Sequence, residues 1–416
     1  MRLLTAVFLC FLLAPSGYAV TEKEVLRLVR EKALTVKSAE VGVKETRLSL
    51  KATERVFLPK VSLTASFQEV YPDFFGNWNQ NYTLGGSVSA QPVNFQNFVQ
   101  LKIGRVEVET AKERVKREVL TAAHQALREL YTLRALEERI ELKEESLKAA
   151  KEIYRVAEEK YKKGLVMITD LLKAKAQVSQ TEAEVESLRA QYAQTFNRLN
   201  ELLDFALKEG ERAEVELKKV PPELDRRKLI ERAMELRPEV REAKKRVKEA
   251  ALRIELQKSA LRPTLTLSAT AQRTGTKFWP QSSNYSAGFT LNFPVFDSGL
   301  TKFRALAEEK RKEKSLIELR RVKNRVRREV LDAVVGVNSS YKTYLSEKDF
   351  LEFSQKAYDR ALNEYKLGVS DIVALMQAFT NLKSAQDALV NSLLNYNLSL
   401  IELKKATGEL LMEVEK

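Results

Sequence analysis

Imidazole and thiolate chemistry is almost absent from this chain. Its 416 residues include one histidine, His124, and one cysteine, Cys10. Soft metal sites need several such ligands, and a Cys–His or Ser–His relay needs a partnered imidazole. His124 instead lies within a long helical pattern with no second histidine anywhere. Carboxylates are plentiful, but they recur three or four residues from Lys or Arg, the spacing of ion pairs on a helix surface. No glycine-rich phosphate loop is present. Neither an enzymatic activity nor a metal nor a cofactor is expected.

The more informative residues lie in two near-copies of one motif. From Tyr161 the chain reads YKKGLVMITDLLKAKAQ, and from Tyr365 it reads YKLGVSDIVALMQAFTN. Each copy has Tyr-x-x-Gly followed by a helical pattern. Gly164 and Gly368 suit a helix C-terminus that closes through a left-handed residue. The duplication extends further: Phe57–Val61 matches Leu261–Leu265, and Tyr82–Phe95 matches Tyr285–Phe296. Leu171, Val178, Val185, Tyr192 and Leu199 recur every seventh residue, as do Leu375, Leu382, Leu389, Tyr396 and Leu403. Heptad spacing of this kind signals helix-on-helix packing. Two copies are too few for a solenoid and suggest a duplicated unit that closes on itself or on other subunits.

At the N-terminus, Arg2, the apolar run Leu3–Ala14 and the small residues Gly17 and Ala19 read as a secretory leader over 1–19. Cys10 lies inside that run without the small residues that precede a lipidated cysteine, and it would leave with the leader. Loss of Arg2 lowers the net charge from +14 to +13. With Lys and Arg interleaved with Glu along helices, the excess reads as solvated helix surface rather than a nucleic-acid footprint.

Proline punctuates the remainder. It is missing from 93–220 and 295–416, the stretches carrying the long helical patterns. The first repeat spans 20–207, with strands at about 60–70 and 82–92, a long helix at about 95–163 and a returning helix at about 165–207. A linker covers 208–237. The second repeat spans 238–408, with strands at about 263–273 and 284–293, a long helix at about 299–367 and a returning helix at about 369–407. Residues 409–416 read as a tail. Each long helix would extend about 100 Å.

The strands alternate cleanly. Val61, Leu63, Ala65 and Phe67 alternate with Ser62, Thr64, Ser66 and Gln68, and the other three follow suit. About ten residues is the length a tilted strand needs to cross a bilayer. Phe57, Tyr71, Phe74, Phe75, Trp78, Tyr82, Phe278, Trp279, Tyr285 and Phe296 crowd the strand ends, as aromatic girdles do. Four strands cannot close a barrel, and lipid tolerates no open edge, so several chains must contribute. Two chains would give eight strands with a nearly filled interior, whereas three would give twelve and a lumen. The competing reading is a soluble periplasmic protein, structural or adaptor, built on a long helical hairpin, with the sheet covering a core.

The leader, the duplicated helix–hairpin–helix halves and the Tyr-x-x-Gly turns together resemble the TolC-like outer-membrane efflux family. Gly164–Asp170, Pro238-Glu239-Val240 and Leu291–Asp297 carry the sharpest likeness. The resemblance implies an α+β membrane protein, a homotrimer with a twelve-stranded β-barrel continuous with a twelve-helix periplasmic α-barrel. It implies a passive exit duct for tripartite efflux or type I secretion, joined to an inner-membrane pump through a periplasmic adaptor (membrane fusion) protein and set in outer-membrane lipid. Adaptor-facing tips would be Gly164, Leu165 and Val166, with Gly368, Val369 and Ser370. The periplasmic gate would involve Asp170 and Tyr365, which match a family Asp–Tyr contact, and Asp371. An arginine of that lock is replaced by Ser370. An acidic lumen ring is replaced by Ala374 and Gln377.

Overall fold

The computed structural model describes residues 19–70, 79–208, 210, 212–221 and 224–415. The leader before Ala19 and the aromatic residues Tyr71, Phe74, Phe75 and Trp78 lie outside the described residues. In chain order the elements are β1 (Ala19–Val20), α1 (Glu22–Lys32), α2 (Leu34–Glu54), β2 (Lys60–Val70), β3 (Asn79–Asn94) and α3 (Phe95–Lys162). Then come α4 (Ile168–Leu202), β4 (Arg212–Ala213), α5 (Arg226–Leu236), α6 (Pro238–Lys258), β5 (Thr264–Gly275) and β6 (Ser282–Asn292). The chain ends with α7 (Leu300–Leu367), α8 (Ile372–Thr407) and α9 (Glu409–Glu415).

Contacts divide the chain differently from its sequence repeat. One compact unit comprises the residues up to Ser38, Lys116–Pro238 and Lys323–Lys416, and the other comprises Ala39–Val115 and Glu239–Val322. Each unit draws on both repeats, because like elements of the two copies pack beside one another.

In the second unit, β2, β3, β5 and β6 form a four-stranded antiparallel sheet in that order. Its register brings the apolar residues onto one face. Leu63 lies opposite Gly86, Ala65 opposite Leu84, Val88 opposite Ala269, and Leu267 opposite Phe289. The other face carries Ser62, Ser87, Thr270 and Ser286 in one row, with the Ser62 and Ser87 hydroxyls 2.7 Å apart. The register slips between Ala90 and Val93, where Pro92 has no N–H to give the ladder. Neither face is covered: β6 is exposed at every position, and Leu63 on β2 is 87% exposed. The core expected of a soluble sheet is therefore missing among the described residues of this unit.

Aromatic rings gather at both ends of the sheet. Tyr82 packs on Phe67 (4.9 Å between centroids) and Phe278 (5.9 Å), and Phe278 on Trp279 (5.6 Å). At the opposite end Phe57 packs on Phe98 at 4.8 Å, and Arg262 stacks over Phe95 at 5.1 Å.

The first unit is helical apart from a short parallel pairing of β1 with β4. Val185, Leu199, Leu375, Leu382, Tyr396 and Leu403 of the heptad series are buried there. The linker lies along α8: the Asn397 amide bonds both backbone groups of Lys218, at 2.8 and 3.2 Å, and the Tyr396 hydroxyl donates to the Val220 carbonyl at 2.5 Å. Arg237 donates to the carbonyls of Lys405 and Ala406 and pairs with Glu329 at 2.9 Å, supplying a cation at the C-terminus of α8. His124 reaches Glu402 at 2.5 Å, and this contact holds the Glu402 carboxyl down at about 2. Residues 409–415, read from sequence as a tail, form α9. Gly408 ends α8 with φ of +80°, and Leu410, Leu411 and Val414 then bury. The segment is too short to show a helical period in sequence.

Candidate functional site

Both tip turns are closed by the same backbone device. In the first, Gly164 has φ of +68°, its N–H donates to the Tyr161 carbonyl at 2.9 Å, and the Leu165 N–H donates to the Lys160 carbonyl at 2.9 Å. In the second, Gly368 has φ of +80°, with Gly368 N–H to Tyr365 at 3.1 Å and Val369 N–H to Glu364 at 3.0 Å. This paired pattern around a left-handed residue satisfies carbonyls that a helix end leaves open. It presents apolar side chains to solvent: Leu165 is 68% exposed and Val369 77%, with Met167 and Leu367 exposed beside them. Val166 and Ser370 are half-buried.

The three acidic and phenolic candidates fare differently. Tyr365 is 1% exposed, in a cluster with Ile153, Ala157, Ala174, Ile372, Leu375 and Phe379. Its hydroxyl makes no hydrogen bond among the described residues. Burial, and then the negative charge of Asp170, push its phenol above the ordinary value. Asp170 lies in the first turn of α4 and pairs with Lys173 at 3.7 Å. The fold thus brings Asp170 and Tyr365 near enough to interact through space without bonding them directly. Asp371 stands at the head of the second tip helix. It is the N-cap of α8, its carboxylate accepting from the Ala374 N–H at 2.9 Å.

Sequence reasoning missed two features of this region. Lys160 donates to the Tyr365 carbonyl and holds its ammonium 4.4 Å from the Tyr365 ring centroid. The corresponding position in the other repeat is Glu364, so charge reversal between the copies was the available signal. Further along the helices, an ion network joins α3, α4 and α8. Lys143 meets Asp387 at 2.7 Å and Glu184 at 3.4 Å, Lys383 meets Glu184 at 2.8 Å, and Arg139 meets Asp387 at 3.5 Å. Burial pushes the Glu184 carboxyl up, but its bonds to Lys383 and Lys143 overcome this and hold it below the ordinary value. Among the described residues no group of acidic, histidine or cysteine side chains could hold a metal, and no helix is long and apolar enough to cross a membrane.

Comparison with known proteins matches this architecture. The family model described as outer membrane efflux protein matches residues 25–204, in the first repeat, and 229–409, from the end of the linker through the second repeat. The chain is similar to a probable efflux pump outer membrane protein, TtgC of Pseudomonas putida, with 25% identity over 289 residues, 67% of this chain and 58% of that protein. It is similar to a probable outer membrane lipoprotein, SilC of Salmonella typhimurium, at 24% identity over 65% of this chain and 60% of that one. The matched region thus spans less than two thirds of these relatives' length. Among solved structures, CusC superposes with a TM-score of 0.79 at 17% identity, covering 95% of each chain. VceC of Vibrio cholerae gives 0.75 at 18% identity, covering 93% of this chain and 96% of that one. The fold is thus the TolC-like one that the repeat and the tips suggested. With one family segment on each repeat and that fold over nearly the whole length, the chain belongs to the outer membrane efflux protein family.

Proposed function

We propose that this chain is the outer-membrane exit duct of a tripartite efflux or type I secretion system, acting as a passive homotrimer. The observation that carries the reading is the bare sheet. It has one apolar face, one polar face whose single charge, Lys60, sits at a strand end, aromatic residues at both ends, and, among the described residues, edge strands β2 and β6 each paired on one side only. Lipid on the apolar face and water on the other satisfy both, and pairing of β6 with β2 of a neighbouring copy removes the open edges. Three copies give twelve strands around a lumen. Most of the chain then lies in the periplasm.

The tips are the adaptor-facing end. Leu165, Val166, Val369 and Ser370 on the two glycine turns offer a docking surface for a periplasmic adaptor that couples the duct to an inner-membrane pump. Asp170 and Tyr365 serve as the gate: in the closed state the carboxylate accepts from the phenol, whose hydroxyl is otherwise unsatisfied. Asp371 supports the gate by fixing the start of α8. Relatives named for toluene, solvent or antibiotic efflux support an efflux role over protein secretion. Fractionation and planar-bilayer recording test the reading together. Heat-modifiable trimers in the outer membrane that open ion channels are the expected result, and a soluble periplasmic monomer without conductance would refute it.

A further inference from the structure

The exposed face of α8 is unlike the rest of the molecular surface. Ala374, Gln377, Asn381, Ser384, Asn391 and Asn395 follow one another at helical spacing, and all are exposed. Between Ile372 and Ile401 the only charged side chains are Lys383 and Asp387, in a chain that is 31% charged. Both are withdrawn from this face. Lys383 is buried against Glu184 and Thr181, and Asp387 is neutralised by Lys143 and Arg139. On α4, Gln180, Ser187, Gln194 and Asn197 are exposed and uncharged as well. Amides from both helices, Gln191, Gln194 and Asn391, line a common cavity of about 310 Å³, where the two cations, Arg139 and Arg198, are paired with Asp387 and Glu129.

Such a face fits neither of the usual surroundings of a helix. A packing face would be apolar, yet among the described residues the only large apolar side chain exposed on α8 is Val373 at the tip. An outward face in this chain carries Lys, Arg and Glu in ion pairs. A face of amides and hydroxyls with its charges turned inward suits contact with water in a confined space. There a fixed charge would concentrate counter-ions and bias passage by sign.

We infer that the amide stripe of α8 lines the conduit, so that between Ala374 and Asn395 this helix adds no fixed charge to the lining and does not discriminate cargo by charge sign. The inference rests on the duct reading. It names Gln377, Asn381 and Ser384 as the residues that set this neutrality.

Cys10 is the sole cysteine, so on a Cys10→Ser background each added cysteine is a clean probe. Gln377→Cys, Asn381→Cys and Ser384→Cys are recorded as channels in planar bilayers under a cationic and an anionic methanethiosulfonate reagent. Modification is expected to reduce conductance at all three positions, with similar rates for the two reagents. Glu186→Cys, on the charged face of α4, is expected to react without reducing conductance. Asn381→Asp is expected to shift the permeability ratio toward cations by about tenfold. If the wild-type chain forms no channel, the duct reading itself fails. If it conducts while the three cysteines are inert, or Asn381→Asp leaves the ratio unchanged, the stripe faces elsewhere and this inference alone is overturned. A strong preference for one reagent would equally overturn the neutral lining.

Discussion

Lys383→Met isolates the ion network that joins α3, α4 and α8. Methionine retains most of the buried stem of Lys383 and removes the ammonium. That ammonium meets Glu184 at 2.8 Å and the Thr181 hydroxyl at 3.3 Å. A hydrogen bond to a charged group contributes about 1.5–3 kcal/mol, and removing one partner of a fully buried pair costs about 3–5 kcal/mol. Glu184 is not stranded by the change, because Lys143 remains 3.4 Å away and the carboxylate side chain is 31% exposed. The second cation and solvent screening place Lys383→Met near the low end, at about 2 kcal/mol. Glu184→Gln costs more, about 3 kcal/mol, because it leaves the buried Lys383 ammonium facing Thr181 and the Phe379 ring. The double variant falls short of the sum by about 1 kcal/mol or more, since the two changes remove one shared interaction. Denaturant unfolding in detergent, followed by loss of the helical circular dichroism, reads all three. The sign of the pH dependence follows from the lowered Glu184 pKa. Its stabilisation is fully present above the ordinary value of 4.5 and is lost as pH falls through the lower folded value. Lys383→Met therefore flattens the acid limb. A Lys383→Met protein as stable as wild type, or a Glu184→Gln protein more stable than Lys383→Met, refutes the assignment.

Tyr365→Phe removes a buried hydroxyl without a partner, so helix stability is expected to hold or rise by up to about 1 kcal/mol. Combined with Asp170→Ala it should raise closed-state conductance in bilayers, and an unchanged closed level would sink the gate. Asp371→Ala removes the α8 N-cap and Gly368→Ala forces a Cβ onto a left-handed residue, each costing about 1 kcal/mol in thermal unfolding. On the sheet, Leu63→Arg or Phe289→Arg should cost about 2–4 kcal/mol and cut the yield of folded trimer, while Ser268→Arg on the opposite face is tolerated. Glu402 is held at about 2 by its contact with His124, so its stabilisation is present above 4.5 and lost as pH falls toward 2. Screening at this half-exposed carboxylate limits it to about 1 kcal/mol, and Glu402→Gln abolishes it in an acid titration of unfolding.

The strands and tip turns were legible because each is a local pattern. Two-residue alternation places Leu63, Val88, Ala269 and Phe289 on one face whatever surrounds the sheet, and Tyr-x-x-Gly marks a left-handed helix end wherever it falls. Asp371 shows the limit of such reading. An acid at the head of a helix suits both a cap and a gate, and the cap becomes visible only in the 2.9 Å bond from the Ala374 N–H. The ion network was invisible for another reason. Lys143, Glu184 and Lys383 are far apart in sequence, and each has nearer charged neighbours to which helical spacing would assign it. The division into two units was hidden likewise, because sequence repeats show which segments are alike but not which of them touch.

The pairing of β3 with β5 has a consequence for assembly. It joins the last strand of one hairpin to the first strand of the next, the same relation that β6 would bear to β2 of a neighbouring copy. The chain therefore carries an internal template of its own external seam. Val88 faces Ala269 within the chain. Transposed through the repeat, Leu291 would face Ala65 of the adjoining copy, a spacing that a paired-cysteine cross-link would report. In the proposed trimer the ring becomes six hairpins joined by one kind of seam used in two settings, three covalently tethered and three free. Substitutions at the free seam can tune assembly while leaving the folding of each chain intact.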